Sequence, residues 1–253
     1  MLCACSPDKH TDSDILFDNS CQPQAVLYDG KYYFIKQDEL SARITLWCAD
    51  NLQDLPHSTK KVVWVPKDSA ALKNIWSPEI HHIGNCWYIY YEADDGNSDN
   101  HHLNVLVNPS PDPMQGNFNH KSTLMTNPEW NYGLHPSTFF VKGKQYLIWS
   151  GWPKRRSEEE TQCIYIASMK NPWTVESKRV MISAPEYEWE RQWVNPDGTR
   201  SAYPIYVNEN PEALLSKDGK HIIIYYTASA NWTYFNAMGM LYASVDSNLL
   251  DPK

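Results

Sequence analysis

The 253-residue chain carries 22 Lys and Arg against 30 Asp and Glu, a formal net charge of −8, with no dense basic stretch. This argues against nucleic acid and anionic membranes as partners. The length suits one all-β domain with a substantial core, and no apolar run is long enough for a transmembrane segment. Eleven Trp and sixteen Tyr are the compositional surplus. Most are expected between packed sheets, and the remainder suit stacking on the apolar faces of sugar rings.

Residues 1–20 read as a polar tail without periodicity. Within it, Leu2-Cys3-Ala4-Cys5 resembles the end of a bacterial lipoprotein signal and is followed by a tether-like SPDKHTDSD. The basic and apolar parts of such a signal are missing, so a tether and an accidental match stand as alternatives. From residue 21 to 253 the chain parses into strands. The first set covers 25–28, 31–36, 43–48 and KKVVWVP, with a turn at Asp29-Gly30. The second runs through EIHHI, CWYIYYEA, HLNVLV and KSTLMT, and the third through STFFV, QYLIWSG, CIYIASM and KRVMISA. Lys154-Arg155-Arg156, followed by Glu158-Glu159-Glu160, fits a solvated hairpin tip. A segment near 185–206 reads as an inserted loop, either the rim of a site or a structural excursion. The fourth set has ALLS, HIIIYYTAS and MGMLYASV but no outer strand, as expected of a chain cut inside a blade.

Four times a short polar residue and a proline open the first strand of a set, and a turn then leads into an aromatic-rich second strand. The copies are CQPQAVLYDGKYYFIK, IWSPEIHHIGNCWYIYY, GLHPSTFFVKGKQYLIW and NENPEALLSKDGKHIIIYY, starting near residues 22, 77, 135 and 210. A repeat of this length made only of strands predicts a β-propeller whose first-strand residues face one central cavity. Cys48, Cys86 and Cys163 sit singly in apolar strands and are expected as buried free thiols. His81, His82, His101 and His102 follow strand alternation and not a zinc-ligand spacing.

Beyond the repeats, NIWSPEIHHIGNCWYIYY, EADDGNSDNHHLNVL, YLIWSGW, IYIASMKNPWTV, VNENPEALL and NLLDP together resemble glycoside hydrolase family 43, in its arabinofuranosidase- and xylosidase-like bacterial branch. The resemblance implies an all-β fold of the five-bladed propeller type with about four blades present. It implies hydrolysis of terminal arabinose, xylose or galactose units of plant polysaccharides, in the bacterial envelope or outside the cell. It also implies three catalytic carboxyls arranged for inversion, a base, a pKa modulator and a general acid. Glu209 falls on the acid. At the base position stands Gln22, and at the modulator position His135, so two of the three usual aspartates are replaced. Glu79, in the segment similar to the family's WAPE strand, is a binding or supporting residue, with a buried backbone acceptor as the alternative. Trp76, Trp152 and Trp232 are sugar-stacking candidates, with packing in the core as the leading alternative. The resemblance implies no cofactor, and an axial calcium or sodium only where a fifth blade is present. The sequence sets no oligomeric state.

Glutamine accepts no proton at a useful pKa but can hold a water, and histidine can act as acid or base near neutrality. Three accounts follow: a variant glycosidase using Glu209, Gln22 and His135; a non-catalytic glycan-binding propeller; or a degenerate product without function of its own.

Overall fold

The computed structural model describes residues 16–17, 22–38, 40–66, 73–154, 161–191, 206–230 and 235–251. Within these, the strands fall into successive antiparallel groups. Blade one comprises β1 (Gln24–Tyr28), β2 (Lys31–Gln37), β3 (Ile44–Ala49) and β4 (Thr59–Trp64). Blade two comprises β5 (Lys73–Ile83), β6 (Cys86–Asp94), β7 (His102–Asn108) and β8 (Asn119–Thr123). Blade three comprises β9 (Leu134–Val141), β10 (Lys144–Gly151) and β11 (Thr161–Asn171), with β12 (Thr174–Val175) and β13 (Val180–Ser183) both pairing β11. Blade four comprises β14 (Tyr206–Leu215), β15 (His221–Ala228) and β16 (Ala237–Ser244). A short parallel contact, Thr161 to Tyr206 and Gln162 to Val207, joins blades three and four.

Turn chemistry sets the first hairpin of two blades. Asp29-Gly30 and Lys142-Gly143 each place two consecutive residues at positive φ, the two-residue connection whose twist matches the flanking strands. The core lies between blades and not within one sheet. Ile35 and Leu46 of blade one meet Ile80 and Trp87 of blade two. Leu103 and Val105 of blade two meet Leu147 and Trp149 of blade three. Phe139 and Ile148 of blade three meet Ile222 and Ile224 of blade four. Central strands are thus covered on both faces, which is why CWYIYYEAD is buried almost throughout and reads as a continuous apolar run. Each fully buried aliphatic side chain contributes about 1.5–3 kcal/mol.

The outward faces of blades one and four are different. Leu27 is exposed on β1, Leu214 on β14, and Met238, Met240 and Tyr242 on β16. Those faces have the composition of a blade interface. Of the cysteines, Cys163 is buried as expected, whereas Cys48 and Cys86 are half-buried, and all three are free thiols. Cys3 and Cys5 lie outside the described residues, as do most of the basic-acidic run after Lys154 and the middle of the 185–206 segment. No helix among the described residues is long and apolar enough to cross a membrane.

Candidate active site

In blades two, three and four the polar-proline pairs are β-bulges, whereas Gln22-Pro23 directly precedes β1. In blade two, Trp76 pairs Glu92 and Glu79 pairs Tyr90; in blade three, Leu134 pairs Ser150 and Ser137 pairs Ile148; in blade four, Glu209 pairs Thr227 and Glu212 pairs Tyr225. Each of these inner strands therefore carries one extra residue, and proline suits that place because no ladder hydrogen bond is required of it. The residue before each proline is left-handed: φ is 49° at Gln22, 46° at Ser77, 51° at His135 and 52° at Asn210. Such backbone costs about 1–3 kcal/mol per residue and persists only where its surroundings hold it.

What holds it is a ring of side chains on the axis. The Gln22 amide donates from Nε2 to His135 Nε2 at 2.6 Å and to Asn210 Oδ1 at 3.2 Å. Its Oε1 accepts from Ser77 Oγ at 2.7 Å. With Gln22 donating to Nε2, the His135 proton belongs on Nδ1, which faces Ser150 Oγ at 3.3 Å. Burial holds the His135 imidazole down to about 3, with nearby His101 adding to the effect. His135 is therefore a neutral acceptor for Gln22 near pH 7 and not a free base, and the ring carries no net charge.

Three of the ring residues are braced from the second strand of their own blade. Ser77 lies 3.2 Å from Glu92, His135 faces Ser150, and Asn210 donates to Thr227 Oγ1 at 3.1 Å. Thr227 in turn donates to the backbone carbonyl of Glu209 at 3.3 Å. Glu209 directly precedes Asn210, and only 3% of it is exposed.

Immediately after the prolines comes a second layer: Gln24, Glu79, Ser137 and Glu212. Gln24 Oε1 accepts the Ile80 N–H at 2.7 Å. Ser137 donates to Glu212 Oε2 at 2.8 Å and also bonds Glu79, whose carboxyl burial pushes up to about 8. A hydroxyl has one proton to give, so Glu79 in its protonated form donates to Ser137 while Glu212 accepts. His81 Nε2 lies 3.1 Å from Glu79 Oε2, and burial lowers that imidazole to about 4. The Glu212 carboxyl is raised by its surroundings and by Glu79, but the residue is exposed, so solvent moderates the shift. Together the layers line a cavity of about 210 Å³ that includes Gln22, Ser77, His135, Asn210, Glu79 and Glu212.

Sequence reading thus brings Gln22, His135 and Glu79 to one cavity, with Glu209 next to it on β14. Trp76 and Trp152 do not line it. Trp152 is buried in a cluster with Tyr132 and Leu134, and Trp76 and Trp130 pack against it, while Trp76 also lies 4.3 Å from the His101 ring. Trp232 lies outside the described residues. Sequence reasoning missed Ser77 and Asn210 as ring members, although both stand before the repeat prolines. It also missed Glu190, buried at the start of the long loop, which accepts from Asn208 at 2.9 Å and from Tyr226 at 2.8 Å. Gly239 permits this second bond, because a Cβ there would sit 2.1 Å from the Tyr226 ring. The described residues offer no group of three or more His, Cys, Asp or Glu side chains placed to hold a metal.

The fold and site define a β-propeller with a carboxyl-containing cavity on its axis. The chain belongs to glycosyl hydrolases family 43, whose pattern it matches over residues 16–253. It is 31% identical over 226 residues to an extracellular exo-α-(1→5)-L-arabinofuranosidase of Streptomyces chartreusis, covering 88% of this chain and 64% of that protein. It is 30% identical over 226 residues to α-L-arabinofuranosidase 43 of Humicola insolens, covering 88% of this chain and 44% of the relative. Among solved structures, an α-L-arabinofuranosidase from Lactobacillus brevis superposes with a TM-score of 0.78 at 29% identity, covering 92% of this chain and 70% of that one. The chain spans roughly half of the curated relatives' length, from 43% to 64%.

Proposed function

We propose that this chain is the propeller of a glycosidase that removes terminal pentose or galactose units from plant polysaccharides outside the cell, with α-L-arabinofuranosides as the leading substrates. The observation that carries the reading is the convergence of Gln22, His135 and the Glu209-Asn210 segment on one axial cavity, in a member of a glycosidase family whose named relatives are arabinofuranosidases. Glu209 acts as general acid: its proton goes to the glycosidic oxygen as the bond from that oxygen to the anomeric carbon breaks. Gln22, held by Ser77, His135 and Asn210, positions the water whose oxygen attacks the anomeric carbon from the opposite face. Glu212, the exposed carboxylate of the same cavity, receives the proton that this water gives up.

A second reading, a glycan-binding propeller without turnover, is favoured by the neutrality of the ring and the engagement of the Gln22 amide on both sides. Assays with nitrophenyl α-L-arabinofuranoside, β-D-xyloside and β-D-galactoside, and with arabinan, xylan and galactan oligosaccharides, separate the two. Glu209→Gln is expected to lower kcat on oligosaccharides by about 10²–10⁴-fold. The loss should be smaller on nitrophenyl glycosides, whose leaving group departs without a proton. A folded wild type that is silent on every substrate yet binds sugar supports the binding protein.

A further inference from the structure

We propose that Glu190, at the start of the long loop between blades three and four, is a positioning residue that fixes the backbone on either side of Glu209. The proposal rests on the hydrolytic reading above and adds a residue outside the cavity. Glu190 is 1% exposed, yet four donors converge on it. Its Oε2 accepts the backbone N–H groups of Glu186 and Tyr187 at 2.8 and 2.9 Å, which closes the loop on itself. Its Oε1 accepts from Asn208 Nδ2 at 2.9 Å and from the Tyr226 hydroxyl at 2.8 Å, which ties the loop to β14 and β15. Two carboxyl oxygens supply the lone pairs for all four, whereas an amide at this place would turn its NH2 toward two of the donors.

The neighbours of Glu190 reach the same stretch. Ser229 Oγ donates to the Trp189 carbonyl, and the Arg191 guanidinium lies over the Tyr206 ring at 5.2 Å. Asn208 Nδ2 also donates to Oγ of Ser183, the last residue of β13, at 2.9 Å. On blade four all these contacts fall on 206–208 or 226–229. Glu209 stands between them: it directly follows Asn208 and pairs Thr227, the residue after Tyr226. Thr227 in turn holds the Glu209 carbonyl and the Asn210 amide. Side chains alternate along a strand, so with Asn208 turned toward Glu190 the Glu209 side chain leaves from the opposite face. Glu190 therefore acts on the acid through the backbone that carries it. Just beyond Thr227, Ser229 and Ala230 are left-handed at φ 62° and 60°, a strained pair that persists because its surroundings hold it.

The test compares the full chain with Glu190→Gln, Asn208→Ala and Tyr226→Phe, on arabino-oligosaccharides and on nitrophenyl α-L-arabinofuranoside. A displaced acid costs most where the leaving group needs its proton. In Glu190→Gln the ratio of kcat on the oligosaccharide to kcat on the nitrophenyl glycoside should therefore fall about tenfold, with KM on each moving less than kcat. Asn208→Ala and Tyr226→Phe should lower the ratio in the same direction. An unchanged ratio, with both rates reduced in step and Tm lowered, would make Glu190 a structural anchor and overturn the proposal. Where Glu190→Gln does not fold, Tyr226→Phe removes a single hydroxyl, and an unchanged ratio there overturns it equally. Should the wild type turn over nothing, the hydrolytic reading fails by itself, and the carbon-13 resonance of the Glu209 carboxyl, assigned by its loss in Glu209→Gln, decides. Its movement in Tyr226→Phe supports the tie between loop and acid, and an unmoved resonance rejects it.

Discussion

The two axial layers are built on the same inner strands, either side of the same prolines, yet they treat charge differently. Gln22, Ser77, His135 and Asn210 form a ring whose members are neutral near pH 7, with Gln22 bonded to the other three. Gln24, Glu79, Ser137 and Glu212 gather two carboxyls around one hydroxyl. Left-handed backbone turns the first set of side chains inward, and ordinary strand geometry delivers the second. The contrast teaches that the carboxyls stand beside the ring and not in it: Glu79 and Glu212 line the cavity after the prolines, while Glu92 sits on a neighbouring strand and Glu209 one residue before Asn210.

The strongest way to break that contrast is Gln22→Asp, which puts a carboxylate into the neutral ring. Turnover on arabinofuranosides is expected to rise by about 10²-fold, the scale of a restored general base. A fall in turnover would mean that the amide is an adapted part of the site. The next largest effect concerns pH. Glu79 is raised from 4.5 to about 8 in the folded chain, so the unfolded chain gives up that proton first and stability falls as pH climbs from 4.5 to 8. His135, lowered from 6.5 to about 3, and His81, lowered to about 4, work in the other direction. The unfolded chain takes up those protons first, and stability is lost as pH drops below 6.5. Denaturant unfolding should therefore show a broad maximum between pH 4.5 and 6.5. Glu79→Gln should flatten the alkaline side by about 2 kcal/mol between pH 6.5 and 8. The smallest effect is expected from Gln24→Ala, which leaves the Ile80 N–H without its acceptor and costs about 1 kcal/mol in the same experiment.

The blades were legible because strand, turn and proline recur together, and both faces of the inner strands are apolar. Gln22, His135 and Glu209 were legible from their place in the repeat and the family resemblance. Glu92 was not, because it stands inside the apolar run CWYIYYEAD and its meaning comes from facing Trp76 across a bulge. Strand register of that kind is a property of two segments paired in space. Trp76 and Trp152 were ambiguous for a related reason: an aromatic beside a site motif has the same sequence signature whether it packs against Tyr132 or lines a cavity. Glu190 was hidden in a loop, where neither period nor repeat marks a residue.

The left-handed residue before each repeat proline has an evolutionary consequence. In this one chain the same left-handed socket holds an amide, a hydroxyl, an imidazole and a second amide, all with φ between 46° and 52°. A backbone that accepts four different side chains without changing course lets chemistry be exchanged one position at a time. Drift away from a standard catalytic set, and return to it, would each need only single substitutions on an unaltered frame.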